Sequence, residues 1–206
     1  MKGKFLSFEG PDKAGKSTQV QLFCDYLSQK KIPYLVTREP GGCPVSEKIR
    51  ALILDPANQM GDECEALLYA AARSELVRTV LRPALAQGTW VICDRFIDSS
   101  IAYQGYGRGL GEETVRRINH IATGGLRPDL SFYFRIDPEI ARRRATGQKD
   151  RIEQAEDAFR QRVAAGYEAL YQAEPQRYCL IDAAQTVPEV QRQVISGFES
   201  WVASCN

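Results

Sequence analysis

Gly10, Gly15, Lys16 and Ser17 stand in the order Gly-x-x-x-x-Gly-Lys-Ser inside the stretch EGPDKAGKST. Glycines at those positions let backbone amides turn inward around phosphate oxygens, and the partial positive charge of a following helix adds to them. Lys16 supplies a cation for β- and γ-phosphates, and Ser17 a hydroxyl for Mg²⁺. Pro11, Asp12, Lys13 and Ala14 fill the loop and Thr18 follows it. The loop follows a strand-like run and precedes a helix-like one, the context a phosphate-binding loop requires. It implies a nucleotide but not a reaction, because switches, motors and small-molecule kinases all use it.

Other residues narrow the chemistry. Arg38 ends an apolar run in TREPGG, and Asp94 and Arg95 end another in CDRF. Two guanidinium groups there would make a fork for a second phosphate, apart from the triphosphate. Asp94 reads in two ways, as a carboxylate assisting Mg²⁺ or as one that orients Arg95. Tyr69 and Arg73 lie four apart in LLYAAARSE, on one helix face. They could stack on and hydrogen-bond a base, but spacing alone favours a core Tyr69 and a solvated Arg73. Ser100, Tyr103 and Gln104 in SSIAYQG have the same weak signal. RRRATGQKDRIEQ, at 142–154, is dense in cations. It is either a solvated face or a flap that closes over phosphates, with Arg142, Arg143, Arg144, Lys149 and Arg151 as candidates.

The elements that must position these residues are strand-length apolar runs at 4–9, 33–38, 89–94, 130–137 and 178–182, alternating with longer helical stretches. Several runs are nearly continuous in apolar character, as strands buried on both faces are. Val20, Phe23 and Leu27 recur at helical spacing. A long helix is expected at about 63–86, bent or ended near Pro83, and others at 155–173 and 187–203. GYGRGLG at 105–111 and TGG at 123–125 read as loops. The alternation implies an α/β fold of the P-loop NTPase type, a parallel sheet with helices on both faces. In such folds ligands bind beyond the carboxyl ends of the strands, where the residues above lie.

Composition sets the bounds. The 206 residues suit one domain spanning 1–206, with a lid at about 142–154. A net charge of +1 suggests neither a nucleic-acid coat nor a membrane surface. Six scattered cysteines without a CxxC, and one histidine, argue against a structural zinc site and suit a reducing cytoplasm. Cys93 reads as a buried thiol. The opening MKGKFLSFEG lacks the apolar stretch of a signal peptide, and no run approaches membrane-spanning length.

Taken together, FEGPDKAGKST, TREPGG, LLYAAARSE, DRFIDSSIAYQG and DRIEQ resemble the thymidylate kinase family, in its order and approximate spacing over nearly the whole chain. The resemblance implies phosphorylation of dTMP to dTDP by ATP with Mg²⁺, a five-stranded parallel sheet with a short lid, and a homodimer. It also implies roles. Asp12 would lie near the acceptor's sugar and phosphates, and Arg38 and Arg95 would hold the dTMP phosphate. Tyr69 would stack on thymine and Arg73 hydrogen-bond it, with Ser100 and Gln104 nearby. Tyr103 would pack under the deoxyribose, and Arg144 with the DAAQ loop would lie near adenine. The family resembles two designs, one with a basic residue in the phosphate loop and one with the catalytic cation in the lid. This chain carries both Lys13 and Arg151, which leaves open which of them neutralises the transferring group.

Two rivals remain at this level. A deoxynucleoside kinase would use Glu39 as a general base toward a neutral hydroxyl, for which two arginines are not needed. A nucleotide switch of the GTPase kind would need a guanine-reading Asn-Lys-x-Asp, which the chain lacks.

Overall fold

The computed structural model describes residues 3–144, 150–154 and 156–205. Five parallel strands form one sheet: β1 (Phe5–Glu9), β2 (Tyr34–Arg38), β3 (Trp90–Asp94), β4 (Leu130–Arg135) and β5 (Tyr178–Asp182), in the spatial order β2-β3-β1-β4-β5. Strand β1 is central and all five of its residues are buried. Its side chains alternate between the two faces. Leu6 and Phe8 pack with Phe132 against Phe23 of α1 (Lys16–Gln29) and Phe198 of α9 (Val187–Ser204). Phe5 packs the other way, against Leu76, Leu81 and Phe96. Each fully buried phenylalanine of this kind contributes roughly 3 kcal/mol.

Helices α2 (Pro44–Leu54) and α3 (Asp62–Leu76) follow β2. The long helix expected at 63–86 runs from Asp62 to Ala86, and its irregularity is a π-helical turn at Val77–Leu81, before α4 (Arg82–Ala86). Pro83 has no N–H to donate to the preceding turn, and the wider turn adjusts the register ahead of it. The short α5 (Ile97–Ser100) runs into a second π-helical segment, Ile101–Gly107. Residues 105–107, expected in a loop, therefore belong to a helix, and only 108–111 link it to α6 (Glu112–Thr123). Helix α8 (Asp157–Ala173) lies tightly against that segment: a Cβ at Gly107 would meet Phe159 Cε2 at 2.7 Å. Strand β4 ends two residues early because Asp137 caps α7 (Pro138–Arg143), accepting from the Glu139 N–H. Gly124, in TGG, is the left-handed cap that ends α6. Among the described residues no helix is long and apolar enough to cross a membrane.

Candidate active site

The phosphate loop joins the central strand to α1. Gly10 sits at φ 139°, and a Cβ there would strike the Phe134 carbonyl oxygen at 2.6 Å, so only glycine fits. Gly15 precedes α1 in a left-handed conformation with no side-chain cap, leaving the first-turn amides to face the loop. Lys16 is buried and donates to the carbonyls of Gly10 (3.0 Å) and Pro11 (2.7 Å). Burial, with Arg95 nearby, lowers its pKa to about 8.

Ser17 Oγ donates to Asp94 Oδ2 at 2.7 Å, while Asp94 Oδ1 is buried and has no hydrogen-bond partner among the described residues. Of the two readings of Asp94, the contact to Ser17 is the one the structure supplies, with the carboxylate set beside the serine that follows the phosphate loop. A hydroxyl beside a carboxylate with a spare oxygen suits Mg²⁺, which takes one or two protein oxygens and completes its shell with phosphate and water. No cluster of three acidic, histidine or cysteine side chains fit for a metal occurs among the described residues.

Arg95 is the centre of the site. It follows β3 with φ 73°, a strained value for a side-chain-bearing residue. The turn is held from both sides: Phe96 N donates to Glu9 Oε1 (2.9 Å), and Arg73 Nη2 donates to the Phe96 carbonyl (3.0 Å). Burial, then Asp98, pushes the Glu9 carboxyl up to about 8. Arg95 Nη1 donates to Gly10 O (2.8 Å), and Nη2 to Asp12 Oδ1 (2.5 Å). Tyr103 completes this group, donating to Asp12 Oδ2 at 2.8 Å with its ring 5.1 Å from the Arg95 guanidinium carbon. Burial opposes ionisation of Asp12, but Arg95, Lys16 and the Tyr103 hydroxyl outweigh it, and its pKa is lowered.

Two cavities meet at Asp12 and Arg95. One, of about 330 Å³, is lined by Lys13, Lys16, Ser17, Arg38 and Asp94. The other, of about 100 Å³, is lined by Tyr69, Arg73, Ser100, Tyr103 and Gln104. Arg38 reaches the first but is exposed and pairs with Glu47 at 3.1 Å. The second brings together the residues with the weakest sequence signals, and it reverses the expectation from spacing. Arg73 is 2% exposed, not solvated, and Tyr69 is only partly buried, at the cavity wall. Every guanidinium nitrogen of Arg73 is engaged by protein: Nε with Glu39 (2.7 Å), Nη1 with Ser100 (2.9 Å) and Asn119, Nη2 with the Phe96 carbonyl and Glu39. Gln104 Nε2 donates to Glu65 at 2.8 Å.

The cationic stretch divides. Arg144 donates to the carbonyls of Ala183 (2.8 Å) and Ala184 (3.3 Å), which ties it to the DAAQ loop. Arg142 pairs with Glu139, and Arg143 is exposed. Lys149 lies outside the described residues. Arg151 does not point to the phosphate loop. It donates to the Ile53 carbonyl and to Glu65, both at 2.7 Å. Lys13, in the loop with φ 63°, pairs with Glu153 at 2.7 Å. Sequence reasoning missed Arg50, which lines both cavities, and Asn119 and Glu65. For Glu65 a signal existed: 65, 69 and 73 share one helix face. For Asn119, on a distant helix, there was none.

A phosphate loop after the central strand of a parallel sheet, next to a second cavity that shares its arginine, defines a P-loop nucleotide kinase. A family model described as Thymidylate kinase matches residues 8–194. The chain is 52% identical over 205 residues to the Thymidylate kinase of Lactobacillus helveticus, covering 97% of each chain. To that of Symbiobacterium thermophilum it is 50% identical over 192 residues, 92% of this chain and 90% of the other. To that of Lactobacillus acidophilus it is 49% identical over 202 residues, 95% and 94% of the two. The chain belongs to the thymidylate kinase family.

Proposed function

We propose that the chain transfers the terminal phosphoryl group of ATP to a phosphate oxygen of dTMP, giving ADP and dTDP, with Mg²⁺ held by Ser17 and Asp94. The observation that carries this reading is the Arg95–Asp12 pair at the junction of two cavities, one beside the phosphate loop and one fit for a base. The loop from Gly10 to Gly15 and the first turn of α1 through Thr18 cradle the ATP phosphates, with Lys16 on the transferring end. Arg95 and Arg38 bind the dTMP phosphate, Arg38 by leaving Glu47. Tyr69 stacks on thymine, and Ser100, Gln104 and Arg73 form the polar wall of its site. Tyr103 lies under the sugar. Arg144 and the loop after β5 face adenine. When bound, the metal would supply charge neutralisation for the ATP phosphates. A phosphate oxygen is already nucleophilic near neutral pH, so the protein's work is positioning and charge stabilisation.

The chain acts as one domain over 1–206, with about 142–154 as a lid. A homodimer is supported by exposed Leu67 and Ile121 on α3 and α6. Free thiols at Cys24, Cys43, Cys64, Cys93, Cys179 and Cys205 suit a cytoplasmic setting. The deciding experiment measures ADP release with dTMP, with thymidine and with neither, for the wild type and Lys16→Ala. Release that requires dTMP and is lost in Lys16→Ala is expected. Release independent of dTMP, or greater with thymidine, would refute the assignment.

A further inference from the structure

Glu65 of α3 is a buried carboxylate, 1% exposed, with no role in the chemistry above. It accepts hydrogen bonds from Gln104 Nε2 (2.8 Å), Arg108 Nε (3.2 Å) and Nη2 (3.0 Å), and Arg151 Nη2 (2.7 Å). Burial disfavours its charge, but hydrogen bonds from Arg108, Gln104 and Arg151 and the Arg108 charge outweigh that and lower its pKa. An ionised carboxylate accepts hydrogen bonds and donates none. Gln104 must therefore turn its nitrogen to Glu65, which sends Oε1 the other way. Gln104 is 1% exposed and lines the cavity that holds Tyr69 and Arg73, and its Oε1 is buried without a hydrogen-bond partner among the described residues. The free end of the amide is thus an acceptor. Arg73, the cation in the same wall, has each nitrogen already engaged.

We propose that Glu65 is a specificity-determining positioning residue: by fixing the polarity of the Gln104 amide it admits a pyrimidine that carries hydrogen at N3 and refuses one that presents a bare N3 lone pair. The inference rests on the reading of this cavity as the base site. Thymine N3–H would meet Oε1 as donor to acceptor. Cytosine N3 would set two acceptors face to face and leave both buried and unpaired, the kind of mismatch that a polar pocket rejects strongly. Two arginines lock the carboxylate, so the amide cannot turn over to suit the wrong base. One of them, Arg151, comes from the 150–154 turn and would bring that turn to the base site.

The test compares kcat and KM for dTMP and dCMP in the wild type, Glu65→Gln, Glu65→Asp and Gln104→Ala. In Glu65→Gln, Arg108 and Arg151 claim the new amide oxygen, its nitrogen faces residue 104, and the Gln104 amide is driven over to present Nε2. The preference for dTMP over dCMP should fall about a hundredfold, through KM for the acceptor and with the KM for ATP unchanged. Glu65→Asp keeps the charge and should retain part of the preference. It also decides the matter if Glu65→Gln does not fold. An unmoved preference in the folded variants, with only a lower melting temperature, would make Glu65 structural and overturn the proposal. If Gln104→Ala leaves KM for dTMP unchanged, the base-site reading itself falls and the inference with it. If Gln104→Ala weakens dTMP while Glu65→Asp and Glu65→Gln leave the preference intact, only the inference falls.

Discussion

The Lys13 ammonium and the Glu153 carboxylate stand 2.7 Å apart, joining the phosphate loop to the turn at 150–154. The Glu153 hydrogen bond is the main cause that raises the Lys13 pKa, so the lysine stays charged. Arg151, two residues away, is turned to Glu65 and the Ile53 carbonyl instead. The two candidate cations of the chain are therefore not equivalent.

Lys13 needs to leave one partly exposed ion pair to reach a transferring phosphoryl group, whereas Arg151 must give up two hydrogen bonds in a more enclosed place. Lys13→Gly should lower kcat by about tenfold or more. Arg151→Ala should act mainly on KM for dTMP, because it strips one cation from Glu65. This ranking reverses the one that a lid-borne transition-state arginine implies, and pre-steady-state rates of phosphoryl transfer in the two variants distinguish them. A near-dead Arg151→Ala with a normal Lys13→Gly would restore the lid as the catalytic source.

Lys16 gives the site a pH signature. Its pKa is about 8 in the folded chain against an ordinary 10.5. Below about 8 the lysine is charged in both states, and burial of that charge weighs against folding. Between those values the unfolded chain binds more proton, so stability from this group rises with pH across that window. ATP phosphates favour the ammonium, so ATP binding at pH 9 should take up a proton. Calorimetry in two buffers of different ionisation enthalpy reads that uptake, which should vanish in Lys16→Met. Equal heats in both buffers for the wild type would sink the prediction.

The parts of the site that were legible in the sequence are those where neighbouring residues act together. Gly10 to Gly15 form one loop that runs straight into the first turn of α1, and Arg38 and Asp94 end, and Arg95 follows, strands whose apolar runs are plain, so their common edge follows from a parallel sheet. Helical spacing puts Tyr69 and Arg73 on one face but does not say whether that face meets core or solvent. The answer depends on Glu39 and Asn119, which other elements bring to Arg73. The π-helical segment at Ile101–Gly107 was illegible for a similar reason, since its glycines suggest a loop until α8 packs on Gly107 and the start of α6 on Gly105. The partners of Arg151 were illegible because a motif gives its neighbourhood in the chain, while Ile53 and Glu65 lie far away in sequence.

Arg73 should prove to be a folding residue as well as a wall of the base site. Removing it leaves the buried Glu39 carboxylate and the Phe96 carbonyl unpaired. Arg73→Ala should cost about 3–5 kcal/mol in urea unfolding, the range for breaking one side of a buried charge pair. Arg73→Lys should recover less than half, because a point charge cannot engage Glu39, Ser100, Asn119 and Phe96 in one plane. Unchanged unfolding midpoints would mean that these contacts contribute nothing, and a purely ligand-directed role would stand.

Tyr103 joins two functions that one pair of variants can separate. Its hydroxyl donates to Asp12 at 2.8 Å, while its ring lies edge-on to Phe159 (6.0 Å) and Tyr167 (6.4 Å), with Arg95 over its face. The ring is what would exclude a 2′-hydroxyl, since a rigid wall under C2′ leaves no space for the oxygen. The hydroxyl instead helps Arg95 to hold Asp12. Tyr103→Phe keeps the wall and removes the bond, so the preference for dTMP over ribothymidine monophosphate should stay while kcat falls modestly. Tyr103→Ala removes the wall and should narrow that preference about tenfold or more. The readout is the ratio of kcat/KM values, which cancels any shared loss of active enzyme. An equal change of ratio in both variants would place the discrimination in the hydroxyl. A ratio that moves in neither would return Tyr103 to the packing of α8 alone.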